Sequence, residues 1–229
     1  MKNKIVSIDF AGTLVKAEII EEANKLRSEI LRKSLPTKEQ HSNPEEFYKI
    51  NRAFVKKLTG IEDEMKIKYR ENDLEFMILN GVDIQNQIST NLFQLGMYIT
   101  AKKYGNKIFP TGLIEQLKRI KSLGYKLAII SGVRTDIISG MLSIVKLPFE
   151  FDYIYGQPPK LGLENQECDV KELEKIGVIE YNLGDKLDDL KRISNSKKIF
   201  VKWGHSAGGE EEYADYSISK PKELEKIII

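Results

Sequence analysis

Residues 4–15, which read KIVSIDFAGTLV, decide the fold of this 229-residue chain. A short run of mostly β-branched apolar residues ends at Asp9, and the turn residues Gly12 and Thr13 follow closely. This pattern is typical of a buried parallel strand that delivers a carboxylate to the carboxyl edge of a sheet, where open α/β proteins place their ligands. An aspartate there is suited to be a nucleophile or a Mg²⁺ ligand, although a simple turn or N-cap aspartate produces the same local pattern.

Composition narrows the classes of partner and location. The 36 Lys and Arg residues nearly balance the 34 Asp and Glu residues, which predicts neither a nucleic-acid partner nor a membrane surface. No apolar stretch approaches the ~20 residues of a membrane helix, and no signal-peptide pattern is present at the amino terminus, so we expect a cytoplasmic location. A single cysteine, Cys168, excludes an intramolecular disulfide.

Strand and helix patterns alternate in the second half of the chain. We predict strands over 126–130, 151–155, 179–183, 198–203 and 214–218, and helices over 111–123, 136–145, 170–175, 188–193 and 221–228. Such alternation is typical of a doubly wound parallel sheet of the α/β class, which the first strand also joins.

The segment between the first strand and this alternating region differs in composition. Residues 16–107 are rich in Glu, Lys, Gln and Asn, with apolar stripes at helical spacing that begin near residues 19, 47, 74 and 88. We therefore predict a helical insert over 16–107 within an α/β core formed by 1–15 and 108–229. Both ends of this insert must return close to Asp9.

Polar groups follow three of the predicted parallel strands. Asp9, Ser131 and Asp185 should share the carboxyl edge of the sheet, and Lys160 follows the turn at 156–159. This set of groups suits phosphoryl transfer. One carboxylate can attack or bind metal, and a second acid can also bind metal. A hydroxyl with backbone N–H groups can hold phosphoryl oxygens, and a lysine can offset their charge.

The order of these motifs resembles that of the haloacid dehalogenase superfamily over essentially the whole chain. The matching segments are 9–13 (DFAGT), 130–132 (ISG), Lys160 and 184–189 (GDKLDD). A helical insert between the first two motifs is similar to the C1 cap of that superfamily. The resemblance implies a Rossmann-like core with a cap domain.

Roles at the first motifs follow from this resemblance. It implies that Asp9 is the nucleophile and a metal ligand and that the carbonyl of Ala11 also binds Mg²⁺. Ser131 would bind the phosphoryl group with the backbone at Gly132. Lys160 would stabilise charge; alternatively it is one more solvated lysine, since Leu161-Gly162 replaces the usual proline.

The resemblance extends to the last motif and to substrate contacts. Asp185 matches its metal-binding acid and Asp189 is a companion ligand, unless Asp189 only opens a helix. Thr13 would hold the first loop by a local bond near the substrate. Arg134, placed at the start of a helix beside the phosphate site, contacts either substrate or solvent.

Ala11 departs from the superfamily pattern. Most of its phosphatases carry an aspartate two residues after the nucleophile, which protonates the leaving alcohol and then deprotonates water. Alanine cannot transfer a proton, and general acid–base help is worth ~10²–10⁴-fold. The same alanine resembles the first motif of phosphonoacetaldehyde hydrolase, which implies a Schiff-base lysine in the cap; Lys49, Lys56 and Lys57 are candidates here.

Together these patterns predict a Mg²⁺-dependent hydrolase that acts through an aspartyl-phosphate on a small phosphorylated metabolite, as a monomer or homodimer. The alternatives are a phosphonatase-like C–P hydrolase and a phosphate-binding regulatory module with little turnover. Near the active edge, His205 is either a loop histidine with a structural hydrogen bond or a residue that positions substrate. Residues 208–212 are predicted to form a flexible acidic loop.

Overall fold

A computed structural model describes residues 2–34, 84–157 and 164–229. Within these ranges, six strands form one parallel sheet in the order β3-β2-β1-β4-β5-β6. The strands are β1 (Asn3–Ile8), β2 (Lys126–Arg134), β3 (Tyr153–Gln157), β4 (Gly177–Gly184), β5 (Lys197–Val201) and β6 (Tyr216–Ile218).

The helices of the described ranges connect these strands. They are α1 (Ala17–Ser34), α2 (Ile84–Tyr104), α3 (Leu113–Ser122), α4 (Thr135–Val145), α5 (Glu164–Ile176), α6 (Leu187–Lys191) and α7 (Glu210–Tyr213), with 3₁₀ turns at Gly105–Ile108 and Pro221–Lys226. None of these helices has the length and apolar character needed to cross a bilayer.

Both faces of the sheet are covered, as a doubly wound fold requires. Val6 and Ile8 of β1 pack into a large core that includes apolar residues from α1 to α4. Ile5 points to the opposite face, where it packs with Val170 and Leu173 of α5. Because β1 is central and buried on both sides, its sequence is a continuous apolar run rather than an alternating one.

The sequence-based fold class is confirmed, and most predicted elements lie within a few residues of their observed bounds. Two differences concern the site. Strand β2 continues to Arg134, so this residue ends a strand and does not begin a helix. Residues 210–213 form α7, which the prediction of a flexible acidic loop at 208–212 missed.

The outer parts of the predicted insert are described and helical. Helices α1 and α2 contain the apolar stripes that begin near residues 19 and 88. The stripes near 47 and 74 lie outside the described residues. The N–H of Lys16 donates to the carbonyl of Ile108 over 2.9 Å, so the two ends of the segment meet close to the end of β1.

Candidate active site

Three buried carboxylates converge at the carboxyl edge of the sheet. Asp9 directly follows β1, Asp185 directly follows the neighbouring β4, and Asp189 lies in the first turn of α6. One oxygen from each lies within 4.8 Å of one from the other two, and the residues are 7, 0 and 7% exposed, respectively. The predicted meeting of chain-distant acids at one edge is therefore present in the structure.

Asp185 is held on both oxygens by parts of the chain that are distant in sequence. The hydroxyl of Thr13 donates to Oδ1 over 3.0 Å, and the backbone N–H of His205 donates to Oδ2 over 2.6 Å. Thr13 thus bonds across the site to the fourth motif, whereas the sequence predicted a local bond. The indole N–H of Trp203 donates to the Thr13 carbonyl over 2.9 Å and fixes the same loop.

Two glycines leave the space that Asp185 occupies. A Cβ on Gly12 would lie 2.2 Å from Oδ2 of Asp185, and one on Gly204 would lie 2.2 Å from its Cβ. Gly12 also has φ +96°, a conformation that L side chains rarely adopt. The glycine of the first motif is therefore required both by the turn and by the close approach of the acid.

Asp189 is held at its side chain and at its main chain. Nη2 of Arg192 donates to Oδ1 of Asp189 over 2.7 Å, while Nη1 donates to the carbonyl of Ile130 over 2.8 Å. The amide of Asn182 donates to the Asp189 carbonyl over 2.7 Å, and Asn182 in turn accepts a hydrogen bond from Ser7 over 2.8 Å. This network joins β1, β4 and α6 beneath the carboxylates.

Crowding and burial work against ionisation of the three acids. Burial raises the pKa of Asp9 well above its usual range, and the Asp189 and Asp185 carboxylates raise it further, against the opposing charge of Arg192. Burial also raises the pKa of Asp185, against hydrogen bonds from the His205 N–H and the Thr13 hydroxyl, which lower it. Burial likewise raises the pKa of Asp189, against the charge of Arg192, which lowers it. The single positive charge of Arg192 therefore does not offset the three acids.

A hard divalent cation fits this donor set. Mg²⁺ prefers oxygen ligands, and one or two carboxylates commonly hold it in phosphoryl-transfer sites. Oδ2 of Asp189 is buried and accepts no hydrogen bond within the described part of the chain. A buried carboxylate oxygen without a partner is costly, so this atom is available to a cation or to a water bound to one.

The second motif lies at the end of the neighbouring strand. Ser131 in β2 pairs with Gly156 of β3, and the ladder becomes irregular between Ser131 and Arg134. Ser131 is 1% exposed and its hydroxyl oxygen accepts the N–H of Val133 over 3.2 Å, while Gly132 is exposed. Arg134 is the last residue of β2, and Lys160 lies outside the described residues.

The loop after β5 is anchored by a buried acid. Glu210 is 2% exposed, and its carboxylate accepts hydrogen bonds from the Ser206 hydroxyl and from the N–H groups of Ala207 and Gly208, all within 2.9 Å. These donors lower the pKa of Glu210. Since the same loop includes His205, whose N–H donates to Asp185, Glu210 helps to position that carboxylate.

Replacing Glu210 with glutamine is expected to lower Tm by a few degrees at neutral pH, and the deficit should shrink in acid. A carboxyl whose folded pKa is depressed stabilises the protein above its ordinary pKa of 4.5, and this contribution is lost as pH falls through the folded value. Thermal unfolding between pH 3 and 8 measures the effect, with exposed Glu212→Gln as the matched control. A deficit independent of pH would contradict this assignment.

Several supporting residues were missed by sequence reasoning. Arg192 and Asn182 have no motif of their own, since an arginine on a short helix and an asparagine in a strand are ordinary. The only signal was the spacing of Arg192, one helical turn after Asp189, which places both on one helix face. The partners of Gly204 and His205 depend on how the loop after β5 folds back over β4.

Comparison with solved structures identifies the architecture. A haloacid dehalogenase-like hydrolase family protein from Streptococcus pneumoniae matches with a TM-score of 0.62 at 17% identity, covering 100% of this chain and 99% of that one. This chain has the haloacid dehalogenase-like fold. No family model and no curated protein matches it in sequence.

Two further structures share the haloacid dehalogenase-like fold over their full length. A predicted phosphoglycolate phosphatase from Haemophilus somnus matches with a TM-score of 0.62 at 15% identity, covering 99% of this chain and 98% of that one. A phosphoserine phosphohydrolase-like protein from Francisella tularensis matches with a TM-score of 0.55 at 18% identity, covering 100% of both chains. Identities this low establish the shared fold, and function rests on the site itself.

Proposed function

We propose that this protein is a Mg²⁺-dependent phosphohydrolase that acts through an aspartyl-phosphate on a small phosphorylated metabolite. The observation that carries the proposal is the convergence of Asp9, Asp185 and Asp189 at the carboxyl edge of the sheet, with oxygens within 4.8 Å. Three buried acids destabilise an ion-free protein, and such clusters are typical of functional sites. The phosphatase names among the structures of the same fold agree with this choice.

The proposed chemistry has two displacements at phosphorus. A carboxylate oxygen of Asp9 attacks the phosphoryl group, the P–O bond to the leaving group breaks, and a water later cleaves the acyl phosphate to release inorganic phosphate and restore Asp9. Asp9, Asp185, Asp189 and the Ala11 carbonyl would hold Mg²⁺, which when bound neutralises charge on the phosphoryl oxygens. Ser131, the backbone at Gly132, and Lys160 would bind those oxygens.

Ala11 shapes the substrate preference that we propose. Its methyl group can neither protonate a leaving alkoxide nor deprotonate the attacking water. The protein should therefore favour phosphate esters and anhydrides with good leaving groups, which need less help from a general acid. Arg134 ends the strand that carries Ser131 and is proposed to contact the substrate side, whereas the buried Thr13 holds the first loop through its bond to Asp185.

Turnover of p-nitrophenyl phosphate tests the proposal directly. We expect hydrolysis with Mg²⁺ to exceed that in EDTA by at least about 100-fold, because the ion stabilises charge that develops at the phosphoryl group. Mg²⁺ should also raise Tm, since it binds only the folded cluster. Acetyl phosphate should be hydrolysed faster than simple alkyl phosphates. Equal rates in EDTA and Mg²⁺ would contradict the metal role.

Ala11 also favours the second candidate, a phosphate-binding regulatory module with little turnover. In that case Mg²⁺ and phosphate would raise Tm together while p-nitrophenyl phosphate stays intact. The phosphonatase-like alternative depends on lysines 49, 56 and 57, which lie outside the described residues. Borohydride trapping with phosphonoacetaldehyde tests it, because a Schiff base would leave a mass adduct on one of these lysines.

A further inference from the structure

We infer that Arg192 is a positioning residue that serves as the built-in counter-cation of the carboxylate cluster when no divalent ion is bound. The inference deepens the proposed function, on whose metal site it rests. Arg192 is placed by α6, one turn after Asp189, and no motif of the sequence assigns it a role.

The largely buried guanidinium of Arg192 contacts Asp189 on one side and the backbone of Ile130 on the other. Its side chain is 11% exposed and that of Asp189 is 9% exposed, so water screens their 2.7 Å ion pair only weakly. A buried ion pair broken on one side leaves an uncompensated charge, which is far more costly than the loss of a surface pair. Arg192 therefore matters most for the energy of the ion-free cluster.

The two carboxylate oxygens of Asp189 differ in their environments. Oδ1 accepts the guanidinium, while Oδ2 is buried and without a partner among the described residues. The planar guanidinium holds the carboxylate in one orientation and leaves Oδ2 without a competing hydrogen-bond donor in the described part of the chain. The arginine thus orients the acid while it occupies only one of the two carboxylate oxygens.

The other terminal nitrogen of Arg192 connects α6 to β2. Nη1 donates to the carbonyl of Ile130, the residue before Ser131, over 2.8 Å. Since Ile130 belongs to β2 and Asp189 to α6, the guanidinium holds the metal-site helix in register with the strand that carries the phosphate-binding serine. A lysine retains the charge but cannot make this forked pair of bonds.

Thermal unfolding of wild type, Arg192→Met and Arg192→Lys in EDTA and in Mg²⁺ tests the inference. In EDTA we expect Arg192→Met to lower Tm by roughly 5–10 °C, because it leaves a buried carboxylate uncompensated. Mg²⁺ replaces the missing positive charge, so its stabilising shift should exceed that of wild type by about 3 °C or more. Arg192→Lys should lose less than half as much as Arg192→Met.

Two comparisons separate this role from a merely structural one. Lys191→Met removes the same charge from an exposed neighbour on α6 and should leave Tm within about 1 °C of wild type. In an Asp189→Asn background, Arg192→Met should lower Tm less than half as much as in wild type, since no carboxylate remains to be compensated. Equal deficits in EDTA and Mg²⁺, or no relief by Asp189→Asn, would overturn the inference.

The experiment also distinguishes this inference from the proposed function. If Mg²⁺ does not change the Tm of the wild-type protein, the proposed metal role is contradicted. The double-mutant comparison in EDTA would still decide whether Arg192 acts as a counter-cation. If Arg192→Met folds only with Mg²⁺, the inference is supported. If Arg192→Lys is as unstable in EDTA as Arg192→Met, the positive charge is irrelevant and the inference is wrong.

Discussion

Replacing Asp9 with asparagine is expected to reduce turnover of p-nitrophenyl phosphate by roughly 10⁴-fold or more, because an amide cannot form the acyl phosphate. The same substitution should raise Tm in EDTA. An acid whose folded pKa is raised costs stability at every pH above its ordinary pKa, and burial together with the neighbouring acids raises the pKa of Asp9. Steady-state rates and thermal unfolding check the two effects.

The combination of lost activity and gained stability is specific to this site. Asp188→Asn offers a matched control, since Asp188 lies exposed beside Asp189 and its loss should change neither quantity appreciably. If Asp9→Asn retains full turnover, the covalent route is wrong. If it loses activity and also loses stability in EDTA, Asp9 would be a structural acid rather than a strained nucleophile.

Replacing Ala11 with aspartate is expected to accelerate hydrolysis of a simple alkyl phosphate by about 100-fold, the lower end of what general acid–base catalysis supplies. The gain on p-nitrophenyl phosphate should be smaller than about tenfold, because that leaving group needs little protonation. Ala11 is partly buried and precedes the Gly12 turn, so the new carboxyl would lie two residues after the nucleophile. The ratio of kcat/KM values for the two substrates is the measurement.

Ala11→Asn is the matched control for this prediction. The amide has nearly the shape of the acid but transfers no proton at neutral pH, so it should leave the ratio unchanged. An unchanged ratio in Ala11→Asp as well would mean that another residue already supplies the proton. Similar gains in both variants would point to polarity or packing at residue 11 instead of acid catalysis.

The fold was largely predictable because its signals are local and repeat along the chain. Apolar runs that end in Asp9, Ser131 and Gly184-Asp185 mark buried strands, and the helices between them impose parallel pairing. Parallel strands direct their carboxyl ends to one edge, so the proximity of Asp9 and Asp185 followed from the order of elements. Helix bounds were less predictable, as α5 begins six residues earlier than expected.

Predictions failed where tertiary contacts outweigh local pattern. The run at 208–212 looks like a solvated acidic loop, since two glycines precede three glutamates. In the structure Glu210 turns inward to three donors of its own loop, while Glu211 and Glu212 stay exposed. Identical residues in a row carry no sequence signal that distinguishes the buried one.

The sequence alone determined the parallel α/β core, the strand ends that carry Asp9 and Asp185, and the lack of a proton donor at Ala11. These are consequences of residue type, periodicity and connection length. Only the tertiary structure decided which oxygens are already engaged: Thr13 and His205 hold Asp185, and Arg192 holds one side of Asp189.

The physical reason is the range over which each signal acts. Strand and helix patterns depend on neighbours a few residues away, whereas Thr13 lies 172 residues from Asp185 and Arg192 lies 62 residues from Ile130. Hydrogen bonds of this kind form only when packed elements bring donor and acceptor to within a few tenths of an ångström of about 3 Å. Those approaches exist only once the core has assembled, and they leave Oδ2 of Asp189 as the buried oxygen without a partner in the described chain.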